Sequence, residues 1–192
     1  MNSDRRLLEA IRAKDAKRVR AAIAAGAELS EVDGPKSVLH FAAAVGDGQV
    51  IEALPRPIVR KFLNEFDAAD RTPLMYAAAK GNTQTATALL ELGADVNARN
   101  STGDSALRVA ASDGTLEVAK LLLEAGGDPL LPGRLGLTPL DRARERHTPQ
   151  GRMIAALFTR SQETKSAAKA SKTSSPRTKS KQARRKGRIG VR

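Results

Sequence analysis

The sequence predicts an all-α solenoid of stacked helix–turn–helix units, and three observations carry that expectation. The phrase Asp70-Arg71-Thr72-Pro73-Leu74-Met75-Tyr76-Ala77-Ala78 returns 33 residues later as Ser105-Ala106-Leu107-Arg108-Val109-Ala110-Ala111. After a further 33 it returns as Thr138-Pro139-Leu140-Asp141-Arg142-Ala143-Arg144. A fixed period of this length marks one supersecondary unit stacked on its own copies. Glycines punctuate the copies in register, at Gly81 and Gly114 and again at Gly93 and Gly126. Aromatic residues make up only 3% of the chain and Trp is absent, which suits thin two-helix layers filled by Ala and Leu.

Each element of the unit has a physical reason. Thr72-Pro73 opens the first helix, with a hydroxyl to cap it and a proline at the first helical position, where its missing N–H is no loss. Gly81 and Gly114 lie seven residues past Leu74 and Leu107, where this short helix must end in a tight turn. Second helices follow at 83–92 and 115–124, with Leu89-Leu90 and Leu121-Leu122 toward the stack. Gly93 and Gly126 supply a left-handed C-cap, which a residue without a side chain adopts at least cost. Ala94-Asp95-Val96-Asn97-Ala98 and Gly127-Asp128-Pro129-Leu130 are turn-rich links to the next copy.

Outside this stretch the copies fray. Ser37-Val38-Leu39-His40-Phe41-Ala42-Ala43 is an earlier copy at a spacing of 35 rather than 33. Asp67-Ala68-Ala69-Asp70 reaches Thr72 about three residues early, which predicts a shortened hairpin finger. Leu54-Pro55-Arg56-Pro57-Ile58 carries about five extra residues, and its prolines are expected to break or displace a second helix, leaving 47–63 irregular. At the front, Leu7 and Gly26 keep the 19-residue interval of the good copies, and the many charges there suit a terminal unit with one solvated side. At the back, His147 replaces the turn glycine, and 152–158 reads as a last outer helix with Met153, Ile154, Leu157 and Phe158 inward. The expected organisation is therefore a capping unit at 1–32, an irregular unit at 33–69, regular units at 70–99 and 100–132, and a second cap at 133–160.

These motifs resemble the ankyrin repeat, whose pattern centres on Thr-Pro-Leu-His-x-Ala-Ala, a following Gly, paired leucines and Gly-Ala-Asp-Val-Asn-Ala. The likeness is nearly phrase by phrase over 70–111 and extends over roughly residues 4–160. The resemblance implies a protein-binding scaffold or adaptor that engages a partner through finger tips and the exposed side of the first helices. Carried over by position, the expected partner-binding residues are Arg71 and Lys80; Ser101, Thr102, Asp104, Ser112 and Asp113; and Arg134, Leu135, Leu137 and Arg146. Leu135 and Leu137 are apolar where solvent favours polar side chains, so they mark a contact point or cover the last helix. The resemblance also implies that His40 braces a loop by hydrogen bonding and that Asn97 braces the hairpin.

Catalysis finds little support. Only His40 and His147 are available, Cys is absent, and no phosphate-cradling loop occurs. No enzyme activity, cofactor or metal is expected. The N-terminus lacks the apolar stretch of a secretion signal, and no run approaches about 18 apolar residues, so a soluble cytoplasmic monomer is expected.

Charge is segregated. Eleven of the 33 Lys and Arg residues but only one of the 21 acids lie in 161–192, a net +10, against +2 for the rest. Apart from Ala, this segment keeps only Ile189 and Val191 as apolar residues, so it is expected to be disordered. Its densest patch holds Lys179, Lys181, Arg184, Arg185, Lys186 and Arg188. Three uses fit: a solubilising extension, a nucleic-acid arm binding phosphates without base stacking, or a nuclear address in a cell with a nucleus.

Overall fold

A computed structural model describes residues 3–28 and 37–173, with side chains as far as 167. These residues form eleven α-helices: α1 (Ser3–Arg12), α2 (Ala16–Ala24), α3 (Val38–Val45), α4 (Gly48–Ala53), α5 (Arg56–Phe62), α6 (Pro73–Lys80), α7 (Thr83–Glu91), α8 (Ala106–Ser112), α9 (Leu116–Glu124), α10 (Pro139–Glu145) and α11 (Pro149–Thr173).

Within residues 1–160 the helices stack in two rows. First helices pack in the order α1, α3, α6, α8, α10, and second helices in the order α2, α4, α7, α9. The first helices from α3 onward share one capping device. Ser37, Thr72, Ser105 and Thr138 each accept a hydrogen bond from the backbone N–H three residues on, at 3.4, 3.3, 3.3 and 3.1 Å. Asp141 returns the bond to the Thr138 N–H at 3.0 Å, and its hydrogen bonds from Thr138 hold its carboxyl below the usual range. One apolar core runs the length of the stack, with Leu39, Leu89, Leu107 and Leu122 at 0% exposure and Leu74 at 1%. Gly114 is needed for close approach, since a Cβ there would sit 2.7 Å from Ala110 Cα and from the Ala78 carbonyl of the preceding copy.

The irregular unit is resolved into two short helices. α4 stops at Ala53, Pro55 follows, and α5 starts afresh and packs on α3, burying Val59. Proline supplies no N–H and its ring clashes with the preceding turn, which ends α4 early.

Three expectations need correction. The finger before Thr72 is not shortened: its tip at 67–71 has the same hydrogen-bonded turn as the tips 33 and 66 residues on. The two extra residues of this copy lie upstream, where α5 replaces the regular link. Met153 does not face inward but is 54% exposed, and Leu157 is half-buried. Ile154 and Phe158, one helical turn apart, carry the contact at 0% exposure. Finally, α11 runs on to Thr173, well into the segment expected to lack structure. From Arg152 to Thr173 it contains neither Gly nor Pro and carries five Ala and three Lys, which favour helix. The rest of that segment, 174–192, lies outside the described residues, as do 1–2 and the junction at 29–36.

Candidate functional site

Three finger tips precede the N-terminal ends of α6, α8 and α10. In each, the first residue donates to the carbonyl of the fifth: Asp67 to Arg71 at 3.1 Å, Asn100 to Asp104 at 3.1 Å and Gly133 to Leu137 at 3.0 Å. The fourth residue closes the turn in the left-handed region, with φ of 58° at Asp70, 77° at Gly103 and 76° at Gly136. Asp67 fills its own turn by accepting from the Ala69 and Arg71 N–H groups at 2.9 and 3.2 Å. Asn100 does the same for Thr102 and Asp104 at 3.1 and 2.7 Å.

The fingers are laced to one another. Asp70 Oδ2 accepts from Ser101 N–H at 2.8 Å and from its hydroxyl at 2.5 Å. Arg134 N–H donates to the Thr102 carbonyl at 2.8 Å, and Arg99 Nη2 donates to the Pro132 carbonyl at 2.5 Å. A Cβ on Gly103 would come within 2.8 Å of Arg134 N, so only glycine lets the third finger pass this close. Lower down, Asn64 Oδ1 accepts from Asp95 N–H at 2.8 Å, and Asn97 Oδ1 accepts from Asp128 N–H at 3.1 Å. Asn97 therefore braces a hairpin, as its resemblance implied. His40 is 2% exposed; its Nε2 donates to the Glu65 carbonyl at 2.9 Å and its Nδ1 accepts from the Ser37 hydroxyl at 2.7 Å. It serves the frame.

The residues expected to meet a partner fall into two groups. Lys80, Asp113, Arg134 and Leu135 are exposed, Leu135 at 82%. Lys80, Asp113 and Arg146 form one register row at the ends of the first helices, but Arg146 Nη1 donates to the Gly114 carbonyl at 2.9 Å and pins the neighbouring turn. Ser101 and Thr102 are exposed and spend their hydroxyls on Asp70, Asn100 and Asp104. Asp104 pairs with the buried Arg108, whose guanidinium pKa is lowered by desolvation and by Arg142 nearby. Ser112 and Leu137 are half-buried. Arg71 lies over the Tyr76 ring at 5.7 Å, and the Tyr76 hydroxyl donates to Asp67 at 2.8 Å. Desolvation and that bonded carboxylate push the Tyr76 pKa up to about 12.

Sequence reading missed the lacing residues Asn64, Asp70 and Arg99. A signal was present, because Asn64 and Asn97 stand 33 apart, as do their partners Asp95 and Asp128. It also missed Leu130, 46% exposed beside the third finger. Among the described residues no group of three or more His, Cys, Asp or Glu could hold a metal ion, and no helix is long and apolar enough to cross a membrane. What the arrangement offers is a preorganised edge of three finger tips with Leu135 as its most exposed large apolar side chain, and with Phe66 and Leu130 exposed beside the first and third tips. The family described as Ankyrin repeats (3 copies) matches the chain over residues 7–100 and again over 39–133.

Proposed function

The chain belongs to the ankyrin-repeat family, and we propose that it acts as a scaffold or adaptor binding a protein partner along its finger edge, with Leu135 as the apolar anchor. Binding other proteins is the general role of such repeats. The observation that carries the placement is Leu135, 82% exposed on a turn held by backbone bonds to its own finger and to its neighbour. Because the backbone that carries this side chain is already fixed, a partner that covers it orders only the leucine rotamer, and more of the burial appears as affinity. Arg134 stands beside it on the same finger as a charged contact and Leu137 borders that tip, Lys80, Ser112, Asp113 and Arg146 extend the surface to the C-terminal ends of the first helices, and Arg71, Ser101, Thr102 and Asp104 hold the shape of the finger edge.

The test places a photo-crosslinking amino acid at Leu135 or, as a control, at the exposed Lys120 on α9, in cells that make the protein. A protein adduct at position 135 and none at 120 is the expected result. Leu135→Asp should abolish capture of that same protein while leaving the melting temperature unchanged, since the side chain is solvated. Adducts at 120 alone would move the surface to the second-helix row and sink this reading.

A further inference from the structure

We propose that the cleft between α2 and α4, on the second-helix row, binds an acidic protein segment through Lys14, Lys17 and Arg20. This surface is not part of the finger edge, and it stands independently of that reading.

The cleft follows from an uneven row. α4 has 6 residues where α2 and α7 each have 9. Where α7 ends on Leu89-Leu90-Glu91, this copy carries Leu54-Pro55-Arg56 and turns away. Lys14, Lys17 and Arg20 line a cleft of about 560 Å³ together with Gln49 and Glu52 of α4. Arg20 and Glu52 also line a second cleft, of about 350 Å³, where Arg56 follows the break and Ala88, Glu91 and Leu92 come from the end of α7.

The charge of these clefts is unspent. Lys14, Lys17, Arg20 and Arg56 are exposed, and among the described residues none of them is in an ion pair. Asp15 is engaged already: it accepts from the Lys17 and Arg18 N–H groups, both at 3.0 Å, and pairs with Arg18 at 3.3 Å. Four free cations therefore face two free acids, Glu52 and Glu91, which leaves the clefts net positive. The N-terminal unit shares that sign, with seven Lys or Arg against four acids in 3–28, whereas 37–160 holds fourteen of each.

Lys14 separates this cleft from an ordinary solvated edge. It sits at the turn between the two helices of its unit, the place that Gly46 and Gly81 hold in the next two copies at φ of 79° and 68°. Lys14 keeps the left-handed backbone, at 55°, where glycine would avoid the steric cost. Strain of this kind persists where a side chain is needed, and here the side chain lines the cleft. Carboxylates on an extended segment match the arrangement. Glu52 disfavours the denser charge of a phosphate chain, and no aromatic side chain lines either cleft for a base to stack on. Ala13 and Ala16 are the only apolar side chains among the described residues lining the larger cleft, too little to seat an amphipathic helix.

The experiment titrates the full chain with a hexaglutamate peptide and follows backbone amide shifts by nuclear magnetic resonance, so that binding at α2 and α4 is read apart from binding elsewhere on this basic chain. The expected result is saturable movement of the amides of 13–20 and 48–56, weakening between about 50 and 200 mM salt. Lys14→Gly should weaken that binding about two- to fivefold while leaving the melting temperature at or above wild type, because glycine relieves the backbone. Lys14→Arg should keep the affinity, and Glu52→Gln should tighten it by about the same factor by removing an opposing carboxylate. Amides of 13–20 and 48–56 that do not move overturn the proposal, and so does a Lys14→Gly variant that binds as tightly as wild type. Tighter binding of tripolyphosphate than of hexaglutamate at those amides would overturn it in favour of a phosphate ligand.

Discussion

Thr85 is fully buried on α7 and its hydroxyl finds no hydrogen-bond partner. Its counterpart 33 residues on, Val118, is equally buried. A buried polar group without a partner costs about 1–3 kcal/mol of desolvation, and valine has nearly the same shape. Thr85→Val should therefore raise the unfolding free energy by about 1 kcal/mol in a urea titration; a loss would mean that the hydroxyl is satisfied. Tyr76 makes a pH-dependent counterpart. Its folded pKa is raised to about 12 from an ordinary value of 10.0, because burial and the Asp67 carboxylate disfavour the phenolate. The stability it brings is present in full below pH 10.0 and is lost as the pH climbs toward about 12. The stability difference between wild type and Tyr76→Phe should shrink by roughly 1–2 kcal/mol over that window. Parallel pH curves would refute a proton held on Tyr76. Thr85 was legible in the sequence once the register was counted. The Tyr76–Asp67 bond was not, because the copies that follow place Val109 and Arg142 at the tyrosine position.

Elements were legible where the period held and failed where it was interrupted. The finger at 67–71 was misread because the count ran forward from an expected helix end, and Pro55 had moved that end. Counted backward from Asn100, the turn begins at Asp67 with no residue missing. Asp70 then occupies the place that Gly103 and Gly136 hold in the other fingers, at a φ of 58°. The left-handed backbone costs a residue with a Cβ about 1 kcal/mol, and the two bonds from Ser101 offset it. The expected order of stability is Asp70→Asn closest to wild type, then Asp70→Gly, which relaxes the backbone but loses both bonds, then Asp70→Ala, which does neither. Asp70→Ala should cost about 2 kcal/mol in thermal unfolding, and a Gly variant more stable than wild type would show that the lacing contributes nothing. The outer face of α11 was misread for a different reason. Met153, Ile154, Leu157 and Phe158 form an apolar run wide enough for two stripes, and only packing chooses Ile154 and Phe158.

At the scale of the whole stack, stability is a sum of units and nearest-neighbour interfaces, so uneven interfaces should give uneven opening. Leu107 is 0% exposed in the middle of the regular copies, and Leu107→Ala should cost about 2–5 kcal/mol. The N-terminal unit is the weaker joint. α1 packs on α3 less extensively than α3 packs on α6, α6 on α8 or α8 on α10, so the first-helix row is thinnest at that end. α4 has 6 residues where α2, α7 and α9 each have 9, but it still packs on both α2 and α7 and keeps the second row continuous. α5 backs α3 through Val59. Native-state hydrogen exchange should show the amides of α1 and α2 opening at a free energy at least about 1 kcal/mol below those of α6–α9. Leu107→Ala should lower the second group toward the first and leave the first nearly where it was. Uniform exchange across these helices, with every amide following Leu107, would mean that the chain opens as one cooperative unit.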